Sequence, residues 1–173
     1  TRRPFMTGEA TRASEPLGIV HSDVCGPMQT PTVGGFRYFV TFIDDKTRCC
    51  SLYLMKQKSE VLAKFKEFEA WATTSSGQKV KILRSDNGGE YTSKDFTAYL
   101  KKSGIQRQLT APYTPQQNGV AERMNRTLVE AARAMLGQAG LPYCYWGEAV
   151  MTAVYLRNRS PTKALDGGKT PYE

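Results

Sequence analysis

The order of extended and helical segments constrains the fold of this chain more than any other feature of its sequence. Three apolar, β-branched runs come first, at residues 17–24, 36–43 and 49–55, and turn residues such as Gly26-Pro27 and Gly34-Gly35 separate them. Runs of this length between turn signals are typical of β-strands. Because short connections join them, the sequence predicts an antiparallel three-stranded meander.

The remainder of the chain alternates between helical and extended patterns. Apolar side chains recur every three or four positions in residues 59–74, which predicts a helix with one face on the sheet. Further elements are predicted as a strand at 79–85, a helix at 93–103 capped by Thr92, a strand at 105–109, a long helix after a loop at 110–119, and a helix at 146–158. The expected fold class is α/β, with a five-stranded mixed sheet flanked by helices.

Length and composition narrow the function classes. A chain of 173 residues can form one domain with its own core, and no apolar run approaches the roughly 20 residues of a membrane-spanning helix. Four cysteines without a C-x-x-C pair, together with the single histidine His21, argue against a structural zinc site. The net charge of +8 suits a polyanionic partner. We expect the domain at 17–160, between a linker or arm at 1–16 and a C-terminal tail at 161–173.

Three carboxylates do not fit the pattern of solvated surface charge. Asp23 lies inside an apolar strand, Asp86 ends another strand just before glycines, and Glu122 comes early in the long helix. Carboxylates projected from strand ends are costly unless a cation compensates them, and oxygen ligands without His or Cys favour Mg²⁺ or Mn²⁺. If their strands are adjacent, Asp23 and Asp86 can share a metal, with Glu122 opposite. Two such ions per site predict phosphodiester chemistry.

Three local strings around these acids carry a family resemblance. They read HSDVCGPM around Asp23, LRSDNGGEY around Asp86 and YTPQQNGVAERMNRTL around Glu122, and 35 residues separate Asp86 from Glu122. The pattern resembles the D,D(35)E signature of retroviral and retrotransposon integrase catalytic cores, and Ty1/copia-type elements in particular.

The resemblance implies an RNase H-like fold and a metal-dependent polynucleotidyl transferase. Asp23, Asp86 and Glu122 would then be both the catalytic and the metal-binding residues. Such an enzyme trims the 3′ ends of the element's DNA and joins them to target DNA. The resemblance also implies that residues 1–16 follow a zinc module, which this chain lacks, and that the protein acts inside the cell, in virus-like particles or cytoplasm and in the nucleus.

Candidate DNA contacts surround the acidic trio. They are Asn87, Gln116, Gln117, Asn118, Arg123 and Arg126. Each has a simpler interpretation as well: Asn87 suits a turn, the 110–119 segment can be a flexible loop, and Arg126 can pair with Glu122 one helical turn away. The long helix could start with Thr114 or with Asn118 as its cap. His21 could shuttle protons from the same strand face as Asp23.

The remaining expectations concern partners and rival functions. We expect double-stranded DNA as the partner, a homodimer or higher oligomer through the last two helices, and no membrane. The rival functions are a non-enzymatic DNA-binding or assembly module derived from an integrase, and a simple RNase H-like nuclease.

Overall fold

The computed structural model of the protein describes residues 12–110 and 119–173. Five strands form a single sheet, and their bounds are β1 Ile19–Cys25, β2 Tyr38–Asp44, β3 Cys50–Met55, β4 Ile82–Ser85 and β5 Gln106–Leu109. The sheet order is β3-β2-β1-β4-β5. β1, β2 and β3 pair antiparallel, which confirms the predicted meander, and β4 and β5 add in parallel on the other side of β1.

Five helices cover the two faces of this sheet. Their bounds are α1 Val61–Ser76, α2 Gly89–Thr92, α3 Lys94–Ser103, α4 Gly119–Ala139 and α5 Trp146–Asn158. α1, α2 and α3 lie in the connections that lead to the parallel strands β4 and β5, and they pack on one face of the sheet. α4 and α5 follow β5 and pack on the other face. The predicted α/β class with a mixed five-stranded sheet flanked by helices is confirmed.

Alternate residues of the central strands supply the two halves of the core. Phe42 of β2 points to α1, where its ring stacks on Phe68 with centroids 4.8 Å apart. Phe39, three residues earlier on β2, points to the opposite face and packs against Trp146 of α5, with ring centroids 6.2 Å apart. All three phenyl groups are buried, and full burial of each contributes roughly 1.5–3 kcal/mol to folding. The two-residue period of the strand thus separates two apolar clusters.

Local details differ from the sequence-based expectations at the start of α3. Thr92 is not its cap, because residues 89–92 already form the short helix α2, and Ser93 takes the capping position. The Ser93 hydroxyl accepts a hydrogen bond from the backbone N–H of Phe96 at 3.3 Å. A helix of four residues gives no periodic signal, so the sequence pattern merged α2 with the preceding turn.

Both ends of the described chain contact the domain. Arg12 donates to the backbone oxygen of Ala164 at 2.8 Å and to that of Asp45 at 3.3 Å. The backbone N–H of Tyr172 donates to the carbonyl of Asn158 at 2.9 Å. Residues 161–173 are therefore folded back along the end of α5. None of the described helices combines the length and apolar character that crossing a lipid bilayer requires.

Candidate active site

The parallel pairing of β1 with β4 brings the first two acids side by side. His21 pairs with Arg84 in this register, and the same offset, continued two residues beyond the paired segment, sets Asp23 opposite Asp86. Val20 and Leu83 point to the cluster under α1, so Asp23 and Arg84 project to the face that carries α4. The strand that carries Asp23 and the strand that Asp86 directly follows are thus neighbours in the sheet, which is the condition set for the two acids to share a metal ion.

Asn125 of α4 holds the carboxylate of Asp23. Its Nδ2 donates to Asp23 Oδ2 at 3.0 Å, and its Oδ1 accepts from the Thr41 hydroxyl at 2.8 Å. Thr41 is the β2 residue directly opposite Asp23 in the antiparallel register. Asn125 is 5% exposed and Thr41 is fully buried, so the relay is fixed by packing. The amide therefore has one available orientation, with its nitrogen toward the acid.

The electrostatic environment of Asp23 is unfavourable for its charge. Burial, together with the negative charges of Asp86 and Glu122, raises the pKa of Asp23 from 3.8 to about 7, against the hydrogen bond from Asn125. The free-energy cost falls on the ionised form, which water would otherwise solvate. A cation bound beside these three acids would remove that cost, so the donor set fits a hard divalent ion.

The turn after β4 holds Asp86. Asp86 Oδ1 accepts from the backbone N–H of Gly88 at 2.9 Å. Asn87, a predicted DNA contact, instead uses its Nδ2 to donate to the carbonyl of Thr110 at 2.8 Å, which ties this turn to the end of β5. On the other side, the Tyr91 and Ser22 hydroxyls share a buried hydrogen bond of 2.7 Å. The segment that carries Asp86 is thus fastened to both neighbouring strands.

Glu122 projects from the first turn of α4 into a groove. The groove has a volume of about 390 Å³ and lies between α4 and the end of β1, with Asp23 and Gly26 on the strand side. Arg126, a predicted DNA contact, also lines the groove. Among the described residues Glu122 and Arg126 form no ion pair, so the one-turn pairing considered for them is wrong.

The three acids are close enough to influence one another without forming a complete ligand set. In residues 12–110 and 119–173, no three His, Cys, Asp or Glu side chains converge tightly enough to hold a metal ion. Hydrogen bonds to Gly88 and Asn125 engage Asp86 and Asp23 separately.

The other predicted site residues fall in different places. Arg123 is exposed and is not among the residues that line the groove. Its guanidinium lies beside Gly119, and a Cβ added to Gly119 would be 2.7 Å from Nη1 of Arg123. Gln116, Gln117 and Asn118 lie outside the described residues, as does Thr114.

His21 does not contact the acids of the site. It is 1% exposed, and its Nε2 donates to Asp45 Oδ1 at 2.8 Å. Because a carboxylate can only accept, this nitrogen carries the proton. The interpretation of His21 as a proton shuttle is therefore wrong, and its role is structural.

Sequence reasoning missed Asn125 and Thr41. Asn125 directly follows the apolar Met124 and is buried in the helix face that packs on the sheet. A polar residue on a buried helix face needs a hydrogen-bond partner, and that requirement was the available signal. No such signal marked Thr41, because threonine is common in strands.

Comparisons with known proteins agree with this geometry. The family model described as "Integrase core domain" matches residues 13–115, a range that includes Asp23 and Asp86 and ends before Glu122. The chain is 55% identical over 149 residues to the retrovirus-related Pol polyprotein from transposon TNT 1-94 of Nicotiana tabacum. It is 38% identical over 163 residues to that from transposon RE2 of Arabidopsis thaliana. These two matches include 86% and 94% of this chain, and the chain spans 11% of the length of each polyprotein.

Two solved structures share the fold. One is the simian T-cell lymphotropic virus intasome in complex with the PP2A regulatory subunit B56 gamma, with a TM-score of 0.77 and 20% identity over 99% of this chain and 58% of that one. The other is the HTLV-2 integrase catalytic core domain in complex with magnesium, in a trimeric form, with a TM-score of 0.67 and 18% identity over 93% and 97%. Both likenesses support the expected RNase H-like architecture. The chain therefore belongs to the integrase core domain family, in its Ty1/copia-type retrotransposon branch, and has an RNase H-like fold.

Proposed function

We propose that this protein is the catalytic core of a metal-dependent DNA integrase. Its substrates are the double-stranded DNA ends of a retroelement and a target duplex. Water first hydrolyses a phosphodiester near the element's 3′ end, and the freed 3′ hydroxyl then attacks a phosphodiester of the target. Each step exchanges one P–O bond for another, so no oxidant or energy-rich co-substrate is needed.

The observation that supports the proposal is the raised pKa of Asp23. A half-buried carboxylate beside two further acids is destabilised in its ionised form, and a divalent cation would reverse that effect. The magnesium in the HTLV-2 core domain belongs to a protein of the same fold. We assign Asp23, Asp86 and Glu122 as the ligands of two Mg²⁺ or Mn²⁺ ions.

Bound divalent ions would supply the electrostatic activation of the attacking oxygen and the stabilisation of the leaving oxygen. The chain's own residues orient the site. Asn125 holds one oxygen of Asp23 by a hydrogen bond, and the backbone N–H of Gly88 holds the carboxylate of Asp86. Arg126, which forms no ion pair within residues 12–110 and 119–173, lines the same groove, where a DNA phosphate would bind.

An oligomer is the second part of the proposal. Met151, Tyr155 and Leu156 of α5 are each more than half exposed, which is unusual for large apolar side chains on one helix. A second copy of the chain would cover this surface. Sedimentation velocity over a concentration series tests it, and a monomer at all concentrations would contradict it for this chain.

The decisive experiment measures Mn²⁺ binding and strand transfer on the same protein. We expect Mn²⁺ to raise the thermal midpoint of the wild type and to support joining of a labelled 3′ hydroxyl end to a target duplex. Asp86→Asn should remove both effects, while Asp95→Asn in α3, which changes an acid outside the site, should keep both. Joined products distinguish an integrase from a simple nuclease, which would give cleavage alone. DNA binding without any metal-dependent product would instead indicate a non-enzymatic assembly module.

A further inference from the structure

The groove beside Asp23 continues well past the acids. On the helix side it runs from Glu122 to Arg133, and on the strand side it ends at Gly26. The eleven helical steps from Glu122 to Arg133, at about 1.5 Å each, span roughly 16 Å. Gly26 has a φ of +127°, and a Cβ there would lie 2.6 Å from the carbonyl oxygen of Arg37. Any residue with a side chain is therefore excluded at position 26, which lines this end of the groove.

Arg126 and Arg133 are the cations of this groove, and both are exposed. The described residues contain five ion pairs, and none of them includes a residue of α4. Glu130 lies between the two arginines at pairing distance along the helix, yet it forms no ion pair with either. Within the part of the chain that the structure describes, both guanidinium groups therefore keep their donors available to a ligand.

Arg133 lies over the end of β1, at the far end of the groove from Glu122. Burial and the charge of Asp23 raise the pKa of the Cys25 thiol to about 11, while the charge of Arg133 acts in the opposite direction. The guanidinium is thus near enough to the strand end to influence Cys25. Asp23 on the strand side and Arg133 on the helix side therefore line the same groove.

We propose that the groove holds the backbone of one DNA strand and that Arg133 binds a phosphate several nucleotides away from the reacting one. The assignment rests on the function proposed above. An acidic centre repels DNA, so affinity must come from cations placed along the strand's path. A strand with a rise of about 3.4 Å per nucleotide crosses the roughly 16 Å groove in four to five nucleotides. Arginine suits the position because its planar fork binds two phosphate oxygens at once.

The first test is the salt dependence of DNA binding by the complete chain. A duplex end is titrated by fluorescence anisotropy in Ca²⁺ at several salt concentrations. Arg133→Ala should weaken binding about tenfold, as expected for a charge-assisted contact, and should lower the salt slope by about 0.7–0.9, the value for one phosphate contact. Lys102→Ala, which removes an exposed cation on α3, should leave the slope unchanged. Equal slopes for wild type and Arg133→Ala would overturn the proposal.

The second test locates the phosphate. A single uncharged methylphosphonate is placed at successive positions of one strand, and the loss of affinity is measured for the wild type and for Arg133→Ala. We expect one position, three to five nucleotides from the joining site, at which the wild type loses affinity and the variant loses none. The same penalty in both proteins at every position would refute the assignment. Arg133→Lys should retain part of the effect, which separates a charge contact from a folding defect.

Failure of the proposed function would look different. Arg133 lies eleven positions after Glu122 on α4, about 16 Å along the helix, so Arg133→Ala should keep the Mn²⁺-induced rise in thermal midpoint. If the wild type shows no strand transfer, yet Arg133→Ala still lowers the salt slope, the catalytic proposal fails and the DNA groove remains. If Mn²⁺ binding and strand transfer are intact while the slope does not change, only the role of Arg133 is refuted.

Discussion

Asn125 donates a hydrogen bond to Asp23 across 3.0 Å and so joins α4 to β1, although 102 positions separate the two residues in the chain. Thr41 fixes the amide from the other side at 2.8 Å. The helix that carries Glu122 is thereby attached to the strand that carries Asp23. Because both acids depend on one buried amide for their relative position, Asn125 has a positioning role.

Replacing Asn125 should weaken metal binding without removing a ligand. Loss of a residue that orients a ligand commonly reduces metal affinity by about 10- to 100-fold. We expect Asn125→Ala to fall in that range for Mn²⁺, measured by isothermal titration calorimetry. Thr41→Val, which frees the amide to rotate, should give a smaller loss. Thr127→Ala, an exposed change on the same helix, is the control. An unchanged affinity in Asn125→Ala would remove its positioning role.

Replacing Asp23 should stabilise the protein when no divalent ion is present. The pKa of Asp23 is about 7 in the folded protein and 3.8 in its ordinary state, so the contribution of Asp23 to stability is most favourable below pH 4 and falls as the pH rises toward 7. At pH 8, Asp23→Asn should raise the free energy of unfolding by an amount on the order of 2 kcal/mol. Urea denaturation in a chelator measures it. Added Mn²⁺ should stabilise the wild type and not the variant. If Asp23→Asn were less stable than the wild type in the chelator, the unfavourable burial and charge repulsion at Asp23 would be contradicted.

Removing the Ser22–Tyr91 hydrogen bond should loosen the segment next to Asp86. Both residues are fully buried. Tyr91→Phe leaves the Ser22 hydroxyl without this partner, at a cost of roughly 1–2 kcal/mol. Ser22→Ala should cost a similar amount, and the double variant should cost less than the two together. Chemical denaturation of all four proteins gives the coupling energy, and strict additivity would show that the contact contributes nothing.

Asp45 should make stability depend on acid pH. Burial tends to raise the pKa of Asp45, but hydrogen bonds from His21 and the backbone N–H of Ala13, with the charge of Arg48, outweigh it and hold that pKa well below its usual range. Its contribution is therefore complete above about pH 4 and decreases at lower pH. Asp45→Asn should lower stability by roughly 2–4 kcal/mol at pH 7. The difference from wild type should narrow toward pH 3, and a constant difference would contradict the assignment.

Asn158 should protect the edge of the sheet. Its side-chain amide accepts from the Cys50 N–H at 2.9 Å and donates to the Cys50 carbonyl at 2.8 Å, as a neighbouring strand would. Asn158→Ala leaves both groups of a buried edge residue unpaired, and we expect a loss of about 1–3 kcal/mol and faster aggregation. Thermal scans with light scattering measure both. Asn158→Asp keeps the oxygen that accepts from the Cys50 N–H but loses the donor, so its stability and aggregation rate should lie between those of the wild type and Asn158→Ala. Equal stability and aggregation of all three proteins would refute the protection of the sheet edge by Asn158.

Local pattern was sufficient to predict most of the fold. The bounds of α5 match the prediction at 146–158. The short helix α2 was missed because four residues have no period. The cap of α3 moved from Thr92 to Ser93, since either residue can cap a helix and only the backbone conformation decides between them.

The sequence by itself determined which residues could form the site, because the spacing of Asp23, Asp86 and Glu122 and the letters around them are local information. Tertiary structure alone decided how these acids are held. The β1–β4 register sets Asp23 opposite Asp86, and the packing of α4 on the sheet brings Asn125 to Asp23. Such contacts join distant parts of the chain, and their energies depend on burial and on distance, neither of which a linear pattern contains.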